Sequence, residues 1–93
     1  MELHPKLKLA VALKYKQDRD VAPLVVASGK GVMAEAILRK ALDAGIPIHP
    51  DSELADLLSE VDVGDSIPEE LYEVVAQIMA MVYRMDSALA RRL

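Results

Sequence analysis

The chain has 93 residues, of which 53% are hydrophobic and 28% charged, and it contains no cysteine. This length and composition exclude a multidomain enzyme, an intrinsically disordered chain and any disulfide or thiolate site. The net charge of −4 is unevenly placed, with eight Lys or Arg against five Asp or Glu through Pro50, and three against ten afterwards. Nucleic acid is therefore not an expected partner. The sequence has no signal-peptide core and no apolar run long enough for a membrane span, so we expect a cytoplasmic location.

Apolar residues alternate with lysine or alanine along residues 7–15, and this period of two predicts a half-buried β-strand. Alanines in the middle of its outer side leave room for another element to lie close. Four lysines around this strand form a candidate protein-binding surface for an acidic partner or a membrane surface: Lys6, Lys8, Lys14 and Lys16. The simpler alternative is a solvated strand face that protects against aggregation.

A second strand and a helix are predicted next. Residues 23–27 form a short β-branched run that is typical of an interior strand covered on both faces. Residues 28–31 predict a turn. Apolar residues then recur at helical spacing over residues 33–42.

Gly45 is expected to end this helix, because glycine readily adopts the left-handed conformation of a helix C-terminus. Residues 46–48 predict a very short strand, with Pro47 at a sheet edge or at the strand's start. Strand, helix, strand in this order implies parallel strands joined by a right-handed crossover.

Two more helices follow. Asp51 or Ser52 can cap the first of them, which carries a leucine-rich face. Ser66 and Glu69 fit an S-x-x-E capping box, and the apolar stripe of residues 71–89 predicts a long final helix. The predicted fold is α/β, a small mixed β-sheet flanked by about three helices, in the order β-β-α-β-α-α. We expect one domain over residues 1–93, with a core at about 7–86 and frayed ends.

Residues 29–34 match G-x-G-x-x-A between a strand and a helix, as at a dinucleotide site. Such a site needs about twice as many strands as the chain offers, so a tight strand-to-helix turn is the better explanation of the glycines. The only histidines, His4 and His49, stand at no metal or triad spacing. The neighbouring Glu69 and Glu70 are typical of acids in the first turn of a helix. We therefore predict no catalytic, cofactor-binding or metal-binding residue, and no enzymatic activity.

Several segments occur in a familiar order: AVALKY at residues 10–15, APLVVASG at 22–29, GIPI at 45–48, VG at 63–64 and IPEELY at 67–72. Over about residues 9–84 they resemble the C-terminal cytoplasmic domain of the FlhB/YscU family, the substrate-specificity switch of flagellar type III export. The resemblance implies a small mixed sheet packed with helices. It also implies a role in docking or selecting export substrates.

Members of that family cleave themselves at an Asn-Pro-Thr-His motif just before the strand matched here by residues 10–15. Pro5-Lys6-Leu7-Lys8 stands at the motif's place, and the chain contains neither asparagine nor threonine. Family cleavage proceeds by asparagine cyclisation. We therefore predict no self-cleavage, and the chain resembles the larger cleaved fragment supplied as a separate protein.

The resemblance also implies a small apolar patch on which early export substrates dock, matched here by Ala22, Pro23, Ala76 and Met79. The residues alone fit plain packing equally well. The implied partners are proteins of the flagellar export apparatus and export substrates, with peripheral membrane association through the export gate.

Three functions remain open from the sequence: an export module, a stand-alone regulator or chaperone-like binding protein with the same fold, and a small nucleotide-binding or enzymatic protein built on the glycine turn. The oligomeric state is left open.

Overall fold

A computed structural model describes the backbone of residues 8–16 and 18–92 and the side chains through residue 82. Its elements in chain order are β1 (Leu9–Lys14), β2 (Leu24–Lys30), α1 (Val32–Asp43), α2 (Ser52–Leu58), a short 3-10 helix (Glu69–Leu71) and α3 (Tyr72–Arg92). The predicted α/β class, with a small sheet and three helices, is confirmed.

The sheet is a two-stranded antiparallel ladder in which Ala10 pairs with Gly29 and Ala12 with Ala27. Beyond this point Leu13 pairs with Val25, so β2 contains one extra residue, Val26, at a β-bulge. Val26 is consequently exposed, whereas Val25 is fully buried. β2 pairs with β1 on one edge and, on the other, makes only an isolated bridge between Leu24 and Ser66, so it is not flanked by a second full strand in the described sheet.

Helices cover both faces of this sheet. Gly29 abuts Met33 in the first turn of α1, so α1 lies on the face that carries Gly29 and its partner Ala10. The opposite face carries Val25, which packs in the core with residues of the α2 to α3 half of the chain. The buried core residues are Ala22, Val25, Leu58, Ile67 and Val75. The alanines of β1 thus admit a close helix, as the sequence predicts.

Gly45 follows the C-terminal end of α1, as expected. Its φ is +72°, its N–H donates to the Leu42 carbonyl, and the Ile46 N–H donates to the Ala41 carbonyl. These two bonds form a Schellman motif, which satisfies the last carbonyls of the helix.

The strand predicted at residues 46–48 is not formed, and these residues have no regular secondary structure. The N–H of Ile46 is already bonded to α1, and Pro47 has none. The predicted parallel pairing and crossover are therefore wrong for the described residues, whose one sheet is antiparallel.

The start of the last helix also differs from the prediction. Ser66 forms an isolated antiparallel bridge with Leu24, and the Ile67 N–H donates to the Pro23 carbonyl. Ser66 is not the cap residue, because Pro68, two residues later, precedes the first helical turn. The helical conformation begins at Glu69 with no side-chain cap.

By contrast, α2 begins as predicted. The Asp51 carboxylate accepts a hydrogen bond from the Leu54 N–H at 3.0 Å.

Candidate protein-binding surfaces

The four residues of the predicted docking patch lie at the junction between the start of β2 and the first turns of α3, but they are not equally accessible. Ala22 is 2% exposed and belongs to the core. Pro23 is half-buried, and Met79 packs against the core cluster. Ala76 is exposed. Of the four predicted residues, Ala76 is thus exposed, Pro23 and Met79 are partly exposed, and Ala22 is buried.

Val21 adds apolar surface beside this patch and was missed by the sequence analysis. It precedes the buried Ala22 and is 90% exposed. The three residues before it, Asp18, Arg19 and Asp20, are charged, so the sequence gave no sign of an exposed apolar side chain here. On α3, Tyr72 lies one turn before Ala76 and is also partly exposed. Val21 and Tyr72 therefore add two exposed apolar side chains close in sequence to the predicted residues.

The lysines do not form one cluster. Lys6 lies outside the described residues. Lys8 precedes β1 and Lys14 ends it, so they stand about 20 Å apart at the rise of an extended chain. Lys8 makes an exposed ion pair with Glu35 of α1 at 3.4 Å, while Lys16 begins the turn before β2, where its N–H donates to the Asp20 carboxylate. All three described lysines are exposed, and Lys8 and Lys14 lie at opposite ends of β1.

The glycine turn is tightly packed. Gly29 lies within β2, not in the turn, and a Cβ on it would meet Met33. Gly31 caps α1 with φ +57°, and its N–H donates to the Lys8 carbonyl at 3.0 Å. The glycines therefore serve helix-to-strand packing, and the Gly31 donor is already used within the fold.

A groove of about 990 Å³ runs beside β1. Its wall includes residues 8–13, apolar side chains of α1 and α3, the segment 46–50 and most of α2. Ile46 and Ile48 stand partly exposed within it, at 57% and 41%. Both were predicted to lie in a strand. This segment does not join the ladder, because the Ile46 N–H is bonded to α1 and Pro47 has no N–H.

Where side chains are described, His, Asp and Glu form no group of three suited to a metal ion. None of the described helices combines the length and apolar character needed to cross a bilayer. His49 and Asp51 approach one another to 3.9 Å at the surface.

Comparison with known proteins places the chain in one family. The sequence profile of the FlhB HrpN YscU SpaS Family matches residues 6–82. The chain is 40% identical over 92 residues to uncharacterized protein YlqH of Bacillus subtilis, covering 99% of both chains. It is 44% identical over 75 residues to flagellar biosynthetic protein FlhB of Aquifex aeolicus, covering 80% of this chain and 21% of that protein. The chain thus spans about a fifth of the length of this FlhB.

A solved structure shows the same fold. A variant of the EscU C-terminal domain superposes with a TM-score of 0.77 at 33% identity, covering 81% of this chain and 75% of the EscU chain. The backbone arrangement described above is therefore that of this family's C-terminal domain.

Proposed function

The chain belongs to the FlhB HrpN YscU SpaS Family, and we propose that it is a non-enzymatic, cytoplasmic interaction module of type III protein export that docks or selects export substrates. Flagellar export is the favoured system, since the relatives that support the proposal include flagellar FlhB proteins. Its partners in this proposal are proteins of the export apparatus and the substrates themselves.

The observation that carries the proposal is the apolar surface at the β2 and α3 junction. Val21 is 90% exposed and precedes the buried Ala22, and the exposed Ala76 follows Val75, which packs with Ala22 in the core. Surface of this kind, next to polar residues, is typical of protein-binding sites. Glu73 lies one turn before Ala76 on α3, so a substrate segment with a basic residue beside apolar ones is favoured.

The decisive experiment is secretion of hook protein, together with motility, in a flagellated strain whose FlhB lacks its C-terminal fragment. We expect this protein, expressed in trans, to restore secretion. The Ala76→Glu variant should restore it poorly, because the substitution places a carboxylate in the docking surface.

Ala36→Glu is the matched control, since it makes the same change at an exposed position of α1. Should the protein be abundant and folded and yet restore nothing, the export role would be rejected. The regulator or chaperone-like role would then be the better explanation. Equal restoration by both variants would instead reject the patch as the docking surface.

A further inference from the structure

The last helix, α3, carries two apolar stripes, of which only one is packed in the core. Val75 is 2% exposed and belongs to the core, and Leu71 and Met79 pack against it. Val74 and Met81 lie about two turns apart on another side of the helix, and they are 39% and 41% exposed. Neither belongs to the core cluster or lines the groove beside β1. This second stripe is therefore open to a partner.

The second stripe follows a heptad pattern. Apolar residues recur at alternating steps of three and four, which is the spacing of positions a and d in a coiled coil. The pattern begins in the 3-10 helix and continues along α3: Leu71, Val74, Ile78, Met81, Met85 and Ala88. The family profile ends at residue 82, whereas α3 continues to Arg92. The heptad pattern thus extends beyond the part of the chain that the family profile matches.

The two ends of the helical segment 69–92 carry opposite charge. Three glutamates stand at its start, and three arginines against one aspartate stand in its second half: Glu69, Glu70 and Glu73, then Arg84, Asp86, Arg91 and Arg92. Among the described side chains, the three glutamates make no ion pair.

This charge distribution is complementary to itself. Two copies of the helix attract each other when they run antiparallel, because the acidic start of each lies beside the basic end of the other. The helix macrodipoles favour the same orientation. A parallel pair would bring the glutamates of both copies together, and a helix of uniform charge would complement only one end of α3.

We propose that the exposed stripe of α3 binds α3 of a second copy of this chain, forming an antiparallel pair of helices about a two-fold axis. Such an interface is isologous, so each contact is made twice. Packing position a against position d places Ile78 of one copy beside Met81 of the second copy. The same register places Glu70 of one copy beside Arg91 of the second copy, at the flanking g positions.

The predicted docking patch lies on a different side of α3. Ala76 stands about 200° round the helix from Val74, so the second copy does not cover it. The inference concerns self-association and therefore goes beyond the proposed export role. It holds whether or not this protein takes part in export.

Sedimentation velocity of the full chain at a series of concentrations tests the association. We expect a reversible dimer whose fraction rises with concentration below about 1 mM. Met81→Glu should raise the dissociation constant of the dimer about tenfold or more, because dimerisation would bury the added carboxylate. Met33→Glu is the matched control, since it makes the same change at a 60% exposed position of α1, and it should alter this constant less than about twofold.

Charge reversal tests the orientation of the two helices. Glu70→Arg alone should weaken the dimer about fivefold at low salt, because it creates two pairs of like charge. Adding Arg91→Glu to this variant should restore most of the parent affinity, since both pairs are recreated with their signs exchanged. A parallel dimer does not bring these two positions together, so the second substitution would restore nothing. Circular dichroism of each variant shows that the monomer remains folded.

Three results would overturn the proposal. A strictly monomeric chain up to about 1 mM would mean that the stripe serves a different polypeptide. A dimer that Met81→Glu leaves unchanged would have its interface elsewhere on the molecule. A dimer weakened by Glu70→Arg and not restored by the added Arg91→Glu would contradict the antiparallel register.

Discussion

A Cβ atom placed on Gly29 would lie 2.6 Å from the Cβ of Met33, which is closer than two such carbons approach in real structures. The contact fixes the distance between β2 and the first turn of α1. Because α1 contributes one wall of the groove, this distance also positions that wall.

Gly29→Ala should therefore destabilise the fold by about 1–3 kcal/mol, since the added methyl forces β2 and α1 apart. Urea denaturation measures the change. Ser28→Ala, one residue earlier in β2, is the matched control and should stay within about 0.5 kcal/mol of the parent. Equal stability of both variants would contradict the close packing of Gly29.

Replacing Gly45 should also lower the stability of the fold, but for a different reason from that at Gly29. A Cβ there meets nothing within 4 Å, but the residue adopts φ +72°. Gly45→Ala should cost about 1–2 kcal/mol because of backbone conformation alone. Gly45→Asn should lower the free energy of unfolding by less, since asparagine tolerates the left-handed region better than alanine does. Thermal unfolding of the two variants compares them directly, and a more stable Ala variant would argue against this origin.

Removal of the Asp51 cap should destabilise α2. The Asp51 carboxylate accepts from the Leu54 N–H at 3.0 Å, so Asp51→Ala should cost about 1 kcal/mol. Asp51→Ser keeps a side-chain acceptor and should retain most of the stability. The midpoint of urea unfolding distinguishes them, and indistinguishable midpoints would mean that the cap contributes little.

The docking patch gives a contrast between a supporting and an accessible residue. Ala22→Glu buries a carboxylate among Val25, Leu58 and Val75 and should destabilise the fold by more than about 3 kcal/mol. Ala76→Glu, at an exposed position, should leave the melting temperature nearly unchanged. Differential scanning calorimetry tests both. An unfolded Ala76 variant would favour plain packing over docking at this position.

The chain should also remain intact on long incubation. Without asparagine it lacks the side-chain amide whose cyclisation would break the backbone. Intact-mass spectrometry should show the full-length mass after days at the growth temperature. A specific break between Pro5 and Lys8 would overturn this prediction.

Local sequence signals predicted those elements that depend on local chemistry. The alternation of β1, the helical spacing of α1 and α3, the glycine stop at Gly45 and the cap at Asp51 each arise from residues within a few positions of one another. All of these are present in the structure.

The remaining features depend on partners distant in sequence. Ser66 has the chemistry of a helix cap, but its backbone pairs with Leu24. The bulge at Val26 reverses which side chain of β2 is buried, and no run of residues marks it. Residues 46–48 are apolar enough for a strand, but strand pairing requires free backbone N–H groups. The Ile46 N–H is already bonded to the Ala41 carbonyl, and Pro47 has no N–H. Likewise, lysines grouped in sequence separate along an extended strand.

The hydrogen bonds between Val25 and residues 64–65 join parts of the chain about 40 residues apart. The β1–β2 hairpin, by contrast, connects segments that are neighbours in sequence. Since closing a long loop costs more chain entropy than closing a short one, the hairpin is favoured to form first and the covering of the β2 edge to follow. Both outer edges of the newly formed hairpin then lack hydrogen-bond partners during folding. A hairpin in this state is more prone to edge-to-edge aggregation than the native form, and charged residues at the ends of β1 and β2 oppose such aggregation.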